Sequence, residues 1–119
     1  MLEKQSNLGR IEVSPTAIAS IVNEAVLSSY GVVGTAAKDL PTGIVNILSR
    51  DSKRGIDVQI EEEERIIIDV YVIIEYGTRV AAVARSVMSV VKYSVERALG
   101  RPVAEVNVHV AGLRISNID

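Results

Sequence analysis

Apolar and polar positions alternate with a period of two over three stretches of this chain. Beginning at Ile56, residues Ile56, Val58 and Ile60 point one way, with Asp57, Gln59 and Glu61 the other. Beyond four consecutive glutamates, Ile66, Ile68, Val70, Val72 and Ile74 make an all-aliphatic face, backed by Ile67, Asp69, Tyr71, Ile73 and Glu75. Two alternating runs joined by a short polar segment predict an antiparallel hairpin. The third run, "VAEVNVHVAG", predicts a last strand with Ala104, Val106, Val108 and Val110 inward and Glu105, Asn107 and His109 outward.

Elsewhere the period is helical. Ile18, Ile21, Val22, Ala25 and Val26 make one stripe. Ser14-Pro15 supplies an N-cap and a proline at the first helical position, and Gly31 is placed to close the helix. Leu27 falls off that stripe, as a satellite contact or part of an interface. A second helix is predicted from a Thr78 cap to about Leu99. Its apolar stripe is Val80, Val83, Ala84, Val87, Val90, Val91, Val95 and Ala98, with Arg85, Ser89, Lys92 and Glu96 opposite and Gly100 and Pro102 as the stop. "GRIEVS" and "VVGTA" read as short strands. Residues 1–9 read as a flexible N-terminal tail and 114–119 as a short C-terminal tail. The segment from Ala37 to Gly55 reads as a long loop whose "IVNIL" island pins it to the core. The expected fold is one α+β domain over residues 10–113, a two-layer sandwich. It has a mainly antiparallel sheet with two helices packed on one face, in the order β-α-β-β-β-α-β.

Composition sharpens this picture. The chain is 48% apolar yet has no Phe or Trp, so 19 Val and 14 Ile must build the core, a β-branched bias that favours strands. With no cysteine there is no disulfide, thiolate nucleophile or cysteine-built metal site. A net charge of −2 is the wrong sign for affinity won by neutralising phosphates. The longest apolar run, Ile66 to Ile74, is interrupted by Asp69 and falls far short of the ~20 residues of a membrane-spanning helix. "MLEKQSNLGR" lacks the apolar segment of a signal peptide. These features predict a soluble, compact, intracellular protein.

Candidate chemistry is sparse. The single histidine, His109, shares a sheet face with Asp57, Asp69 and Glu105, so a metal site is geometrically conceivable there; a solvated strand histidine is the simpler reading. No nucleophile elbow and no phosphate-cradling loop occur. "GVVG" at 31–34 has the spacing of the Gly-x-x-Gly loop by which KH domains clamp nucleic acid, but Val32 and Val33 suit a core better than a phosphate. Glu61 to Glu64 cannot all converge on one ion along an extended strand, so a solvated hairpin tip competes with a docking patch for a basic partner. The pattern thus predicts no catalytic residue, cofactor, metal or small-molecule substrate. What stands out is the outward face: Asp57, Gln59, Ile67, Asp69, Tyr71, Ile73, Glu105, Asn107 and His109. Aliphatic and aromatic groups rimmed by charge suit a protein–protein contact.

"GRIEVS", "YGVVG", "IIEYG" before a valine-rich helix, and the terminal "VNVHVAGL", in this order and spacing, resemble the alkaline shock protein family of bacterial cell-envelope stress response proteins. The resemblance covers about Gly9 to Leu113. It implies a small cytoplasmic protein without catalytic activity that acts in envelope homeostasis as an interaction or scaffold module. Such a module binds itself, a membrane-anchor protein that holds it at the inner membrane face, or both. Gly31, Gly34, Tyr76, Gly77, Asn107 and His109 match as fold signatures. The chain lacks the extended tails of some relatives. The alternative from another class is a KH-like binder of single-stranded nucleic acid through Gly31–Gly34 and Lys38.

Overall fold

In the computed structural model, which describes residues 2–36 and 55–115, helix α1 (Pro15–Leu27) starts where the sequence requires. Ser14 Oγ accepts the Ala17 N–H at 3.2 Å and Pro15 occupies the first helical position. Ile18, Ala19, Val22, Ala25 and Val26 are buried, Ile21 is half-buried and Leu27 is exposed. Gly31 then turns the chain at φ +87°, and a Cβ there would lie 2.8 Å from Val83 Cγ2 on the second helix. Only glycine fits both the left-handed backbone and the close approach.

Strand β4 (Ile56–Glu61) and strand β5 (Arg65–Glu75) form the expected antiparallel hairpin, in register from Ile56↔Val70 to Glu61↔Arg65. Ile66, Ile68, Val70, Val72 and Ile74 of β5 are fully buried. The hairpin tip, Glu62–Glu64, is a 3-10 turn with φ +62° at Glu63 and +58° at Glu64. Strand β3 (Val32–Thr35) pairs antiparallel with the far half of β5. It shares an edge with β4: Tyr71 donates its N–H to Gly55 O at 2.8 Å and accepts from the Ala36 N–H at 2.9 Å. The long segment between Ala36 and Gly55, "IVNIL" included, lies outside the described residues apart from its two ends, which meet at Tyr71.

Helix α2 (Val80–Leu99) buries Val83, Val87, Val91 and Val95, and Gly100 at φ +72° closes it, its N–H bonded to Glu96 O at 2.8 Å. Thr78 does not cap it as expected. Its hydroxyl donates to Glu75 O at 2.7 Å, closing the turn after β5, and the helix begins two residues later behind Arg79. The last strand, β6 (Glu105–Arg114), runs parallel to β5 on the edge opposite β3 and β4, and its last residue reaches one position into the expected C-terminal tail. A strand–helix–strand crossover makes the parallel direction natural, so the sheet is antiparallel on one side of β5 and parallel on the other. Both helices cover the same face, as the two-layer α+β reading requires.

The expected N-terminal tail over residues 1–9 is largely a strand. Leu2–Ser6 form β1, antiparallel to β2 (Gly9–Val13), in register from Leu2↔Val13 to Ser6↔Gly9. Leu2 is 3% exposed and joins the core, whereas Glu3, Lys4, Gln5 and Ser6 are exposed, so β1 carries no alternation to read. From β2 onward the expected order holds, with β1 added in front.

Candidate functional site

The strand register assembles the outward face of the sheet row by row. Gln59, Ile67 and Glu105 lie abreast, then Asp57, Asp69 and Asn107, then Tyr71 and His109, then Gly34, Ile73 and Gly112. All nine residues expected to share this face do share it.

At its centre the Tyr71 and His109 rings stack, with centroids 4.4 Å apart and planes 13° from parallel. His109 Nε2 lies 3.0 Å from Asp69 Oδ1. A carboxylate only accepts, so the Nε2–H donates and the ring is oriented by its carboxylate on one flank and by Tyr71 beneath. Arg65 fixes one rim, its Nη1 3.1 Å from Glu61 Oε1 and its Nη2 3.3 Å from Glu105 Oε2. Asn107 Nδ2 donates to Glu105 Oε1 at 3.4 Å. At the other end, Ile73 stands between two glycines whose absent Cβ positions meet nothing within 4 Å. Both neighbouring strands also shift register there, at Val33 and Ala111. Glycines and bulges beside one half-buried isoleucine leave room for another chain to approach the backbone.

The arrangement orients side chains but offers no reacting pair. No serine or threonine shares a row with His109, and among the described residues no group of three or more His, Asp or Glu side chains is placed to hold a metal ion. "GVVG" is not a loop: Val32 to Gly34 lie in β3, paired with Ile74 and Ile73, so their backbone is committed to the sheet. That removes the clamp geometry of the nucleic-acid alternative; its Lys38 lies outside the described residues.

The glutamate run separates by function. Glu61 meets Arg65, while Glu64 ties three segments together: its Oε2 accepts the Glu3 N–H of β1 at 3.0 Å and its Oε1 lies 2.6 Å from Arg101 Nη1, beyond α2. The Glu3 N–H and then Arg101 hold its carboxyl below the usual glutamate range. Glu96 makes a second clasp, its Oε2 bonded to Lys92 Nζ at 2.7 Å and to the Val103 N–H at 2.9 Å, and its carboxyl is likewise lowered, Lys92 first. Sequence reasoning missed Arg65, although its i,i+4 spacing from Glu61 was a visible signal. It also missed Arg101 and the glycine shoulders of Ile73, which had none.

No helix among the described residues is long and apolar enough to cross a membrane. The chain is 37% identical over 118 residues to the uncharacterized protein YloU of Bacillus subtilis, spanning 98% of both chains. It is 30% identical over 109 residues to the uncharacterized protein Spy1614 of Streptococcus pyogenes serotype M6, spanning 90% of this chain and 89% of that one. It is 25% identical over 115 residues to B. subtilis YqhY, spanning 96% and 84%. No solved structure gives a significant match. The family model of the alkaline shock proteins, described by a cell envelope-related function, matches residues 3–115. With that span of nearly the whole chain, this protein belongs to the alkaline shock protein family.

Proposed function

We propose that this chain is a non-catalytic protein-interaction module serving the cell envelope-related function of its family, and that the outward sheet face is its contact surface. The partner is a membrane-anchored protein, a second copy, or both. The observation that carries this reading is the centre of that face: an oriented Tyr71–His109 stack beside Ile73, with Gly34 and Gly112 leaving open space at its shoulders. Large rigid aromatic groups beside aliphatic ones, ringed by charge, are the composition of interface centres. The acidic groups Asp57, Asp69 and Glu105 add preference for a partner with basic residues at its rim.

The test is affinity capture from the envelope fraction of the native host, comparing wild type with Tyr71→Asp and Ile73→Asp. The reading expects a discrete partner held by wild type and lost by both variants, with circular dichroism unchanged. Equal capture by wild type and both folded variants would remove the outward face from the account.

A further inference from the structure

The outer edge of β6 is the longest sheet edge that the described residues leave without a strand partner, since β5 pairs along its other side. Sheet edges are usually guarded by lysine, proline or inward-pointing charge. Between Glu105 and Arg114 this edge reads "VNVHVAGL", with none of these, and Val110 and Leu113 are 38% and 49% exposed.

The register gives the edge an internal symmetry. Val106, Val108, Val110 and Leu113 lie opposite the buried Ile68, Val70, Val72 and Ile74, on the helix-covered side. Glu105, Asn107, His109, Gly112 and Arg114 lie opposite Ile67, Asp69, Tyr71, Ile73 and Glu75, on the outward side, with Ala111 as the extra residue at the register shift. Reversed about His109, the strand therefore matches itself. Glu105 meets Arg114, Val106 meets Leu113, Asn107 meets Gly112, Val108 meets Val110, and His109 meets His109. Each pair shares a side of the sheet, the aliphatic pairs fall on the helix side, and the two charged positions meet with opposite sign.

We propose that two copies of this chain join β6 to β6, antiparallel about a two-fold axis at His109, to make one continuous sheet. Such a contact is isologous, so each favourable pair occurs twice. The charge order selects a second copy over an arbitrary strand, because Glu105 and Arg114 are complementary only to the same strand reversed. Lys92 Nζ donates to Val103 O at 3.2 Å, so that flank of α2 overlooks β6; Met88, one turn earlier and 40% exposed, faces its counterpart across the seam. The proposal extends the interaction-module reading but uses the sheet edge rather than its face, and it lays two outward faces side by side. Ile73→Asp leaves the edge intact, so the two readings fail separately.

The chain has no cysteine, so His109→Cys introduces a sole thiol. Directly opposed residues of antiparallel strands have Cα atoms about 4.5–5.5 Å apart, within the disulfide range of about 4.4–6.8 Å. Under mild oxidation, His109→Cys is expected to form a covalent dimer about tenfold faster or more than a Ser89→Cys control on α2. In sedimentation velocity, wild type dimerises, Glu105→Arg or Arg114→Glu weakens the dimer about tenfold or more, and the double reversal restores it to within about threefold. Arg114→Glu also avoids the Arg65 contact that Glu105 makes within its own chain. Circular dichroism and melting separate lost pairing from lost fold, and the cross-linking readout stands without the charge variants. A wild-type monomer up to about 1 mM, or a dimer in which His109→Cys links no faster than the control, overturns the proposal.

Discussion

Replacing Gly31 by alanine imposes two separate costs on the fold. The backbone at φ +87° is left-handed, which costs an L-residue about 1–2 kcal/mol. The new methyl would also lie 2.8 Å from Val83 Cγ2 and 3.2 Å from Val83 Cγ1, and forcing such overlap into a packed core costs about 1–3 kcal/mol. Together Gly31→Ala should destabilise by roughly 2–5 kcal/mol, lowering the melting temperature by about 3–5 °C per kcal/mol for a chain of this length. Val83→Ala removes the overlapping methyls, so in that background Gly31→Ala should cost only the backbone part, leaving a coupling of about 1–3 kcal/mol. Urea unfolding of wild type, both single variants and the double variant measures all of these quantities. A Gly31→Ala cost below about 1 kcal/mol, or strictly additive costs, would refute the reasoning that this glycine serves helix packing.

Glu64 is held in its charged form by the Glu3 N–H and Arg101, so its folded pKa lies below its unfolded value. Its contribution is complete above the unfolded value, near the model-compound 4.5, and is lost as pH falls through the folded pKa. Melting curves taken down through the carboxylate range should therefore show Glu64→Gln losing less stability on acidification than wild type; parallel acid limbs would contradict the clasp. Glu63→Gly relieves the left-handed strain at φ +62°, about 1–2 kcal/mol, against about 0.5–1 kcal/mol of glycine entropy, and should raise stability by about 0.5–1 kcal/mol in urea. Leu2→Ala should cost about 2–3 kcal/mol by urea unfolding, an effect no loose tail would show.

The elements that fold around their own pattern were legible in the sequence. Ser14-Pro15 and the Ile18–Val26 stripe, the alternation of β4 and β5, the valine stripe of α2 and the stops at Gly31 and Gly100 are local signals, each tied to one backbone geometry. The outward face was legible for the same reason: alternation places Asp57, Ile67, Asp69, Tyr71 and His109 on one side without knowledge of topology. What failed to show depends on distant partners. Strand β1 has a single buried residue, Leu2, and therefore no period. The sharing of one β5 edge by β3 and β4 rests on Tyr71 bonding both Ala36 and Gly55, residues far apart in sequence. Thr78 looked like a cap because its hydroxyl could serve either direction, and the turn at Gly77 directs it back to Glu75. Glu64 looked like part of a wet tip because nothing near it in sequence announces Arg101.

The most direct test of the account is photo-cross-linking from the outward face inside the native host. A photoreactive residue is placed at position 73, with a control at Arg85 on α2. If the face is a protein contact surface, position 73 gives discrete cross-linked protein bands and position 85 does not. Equal or absent cross-linking at both positions, in folded protein, contradicts it.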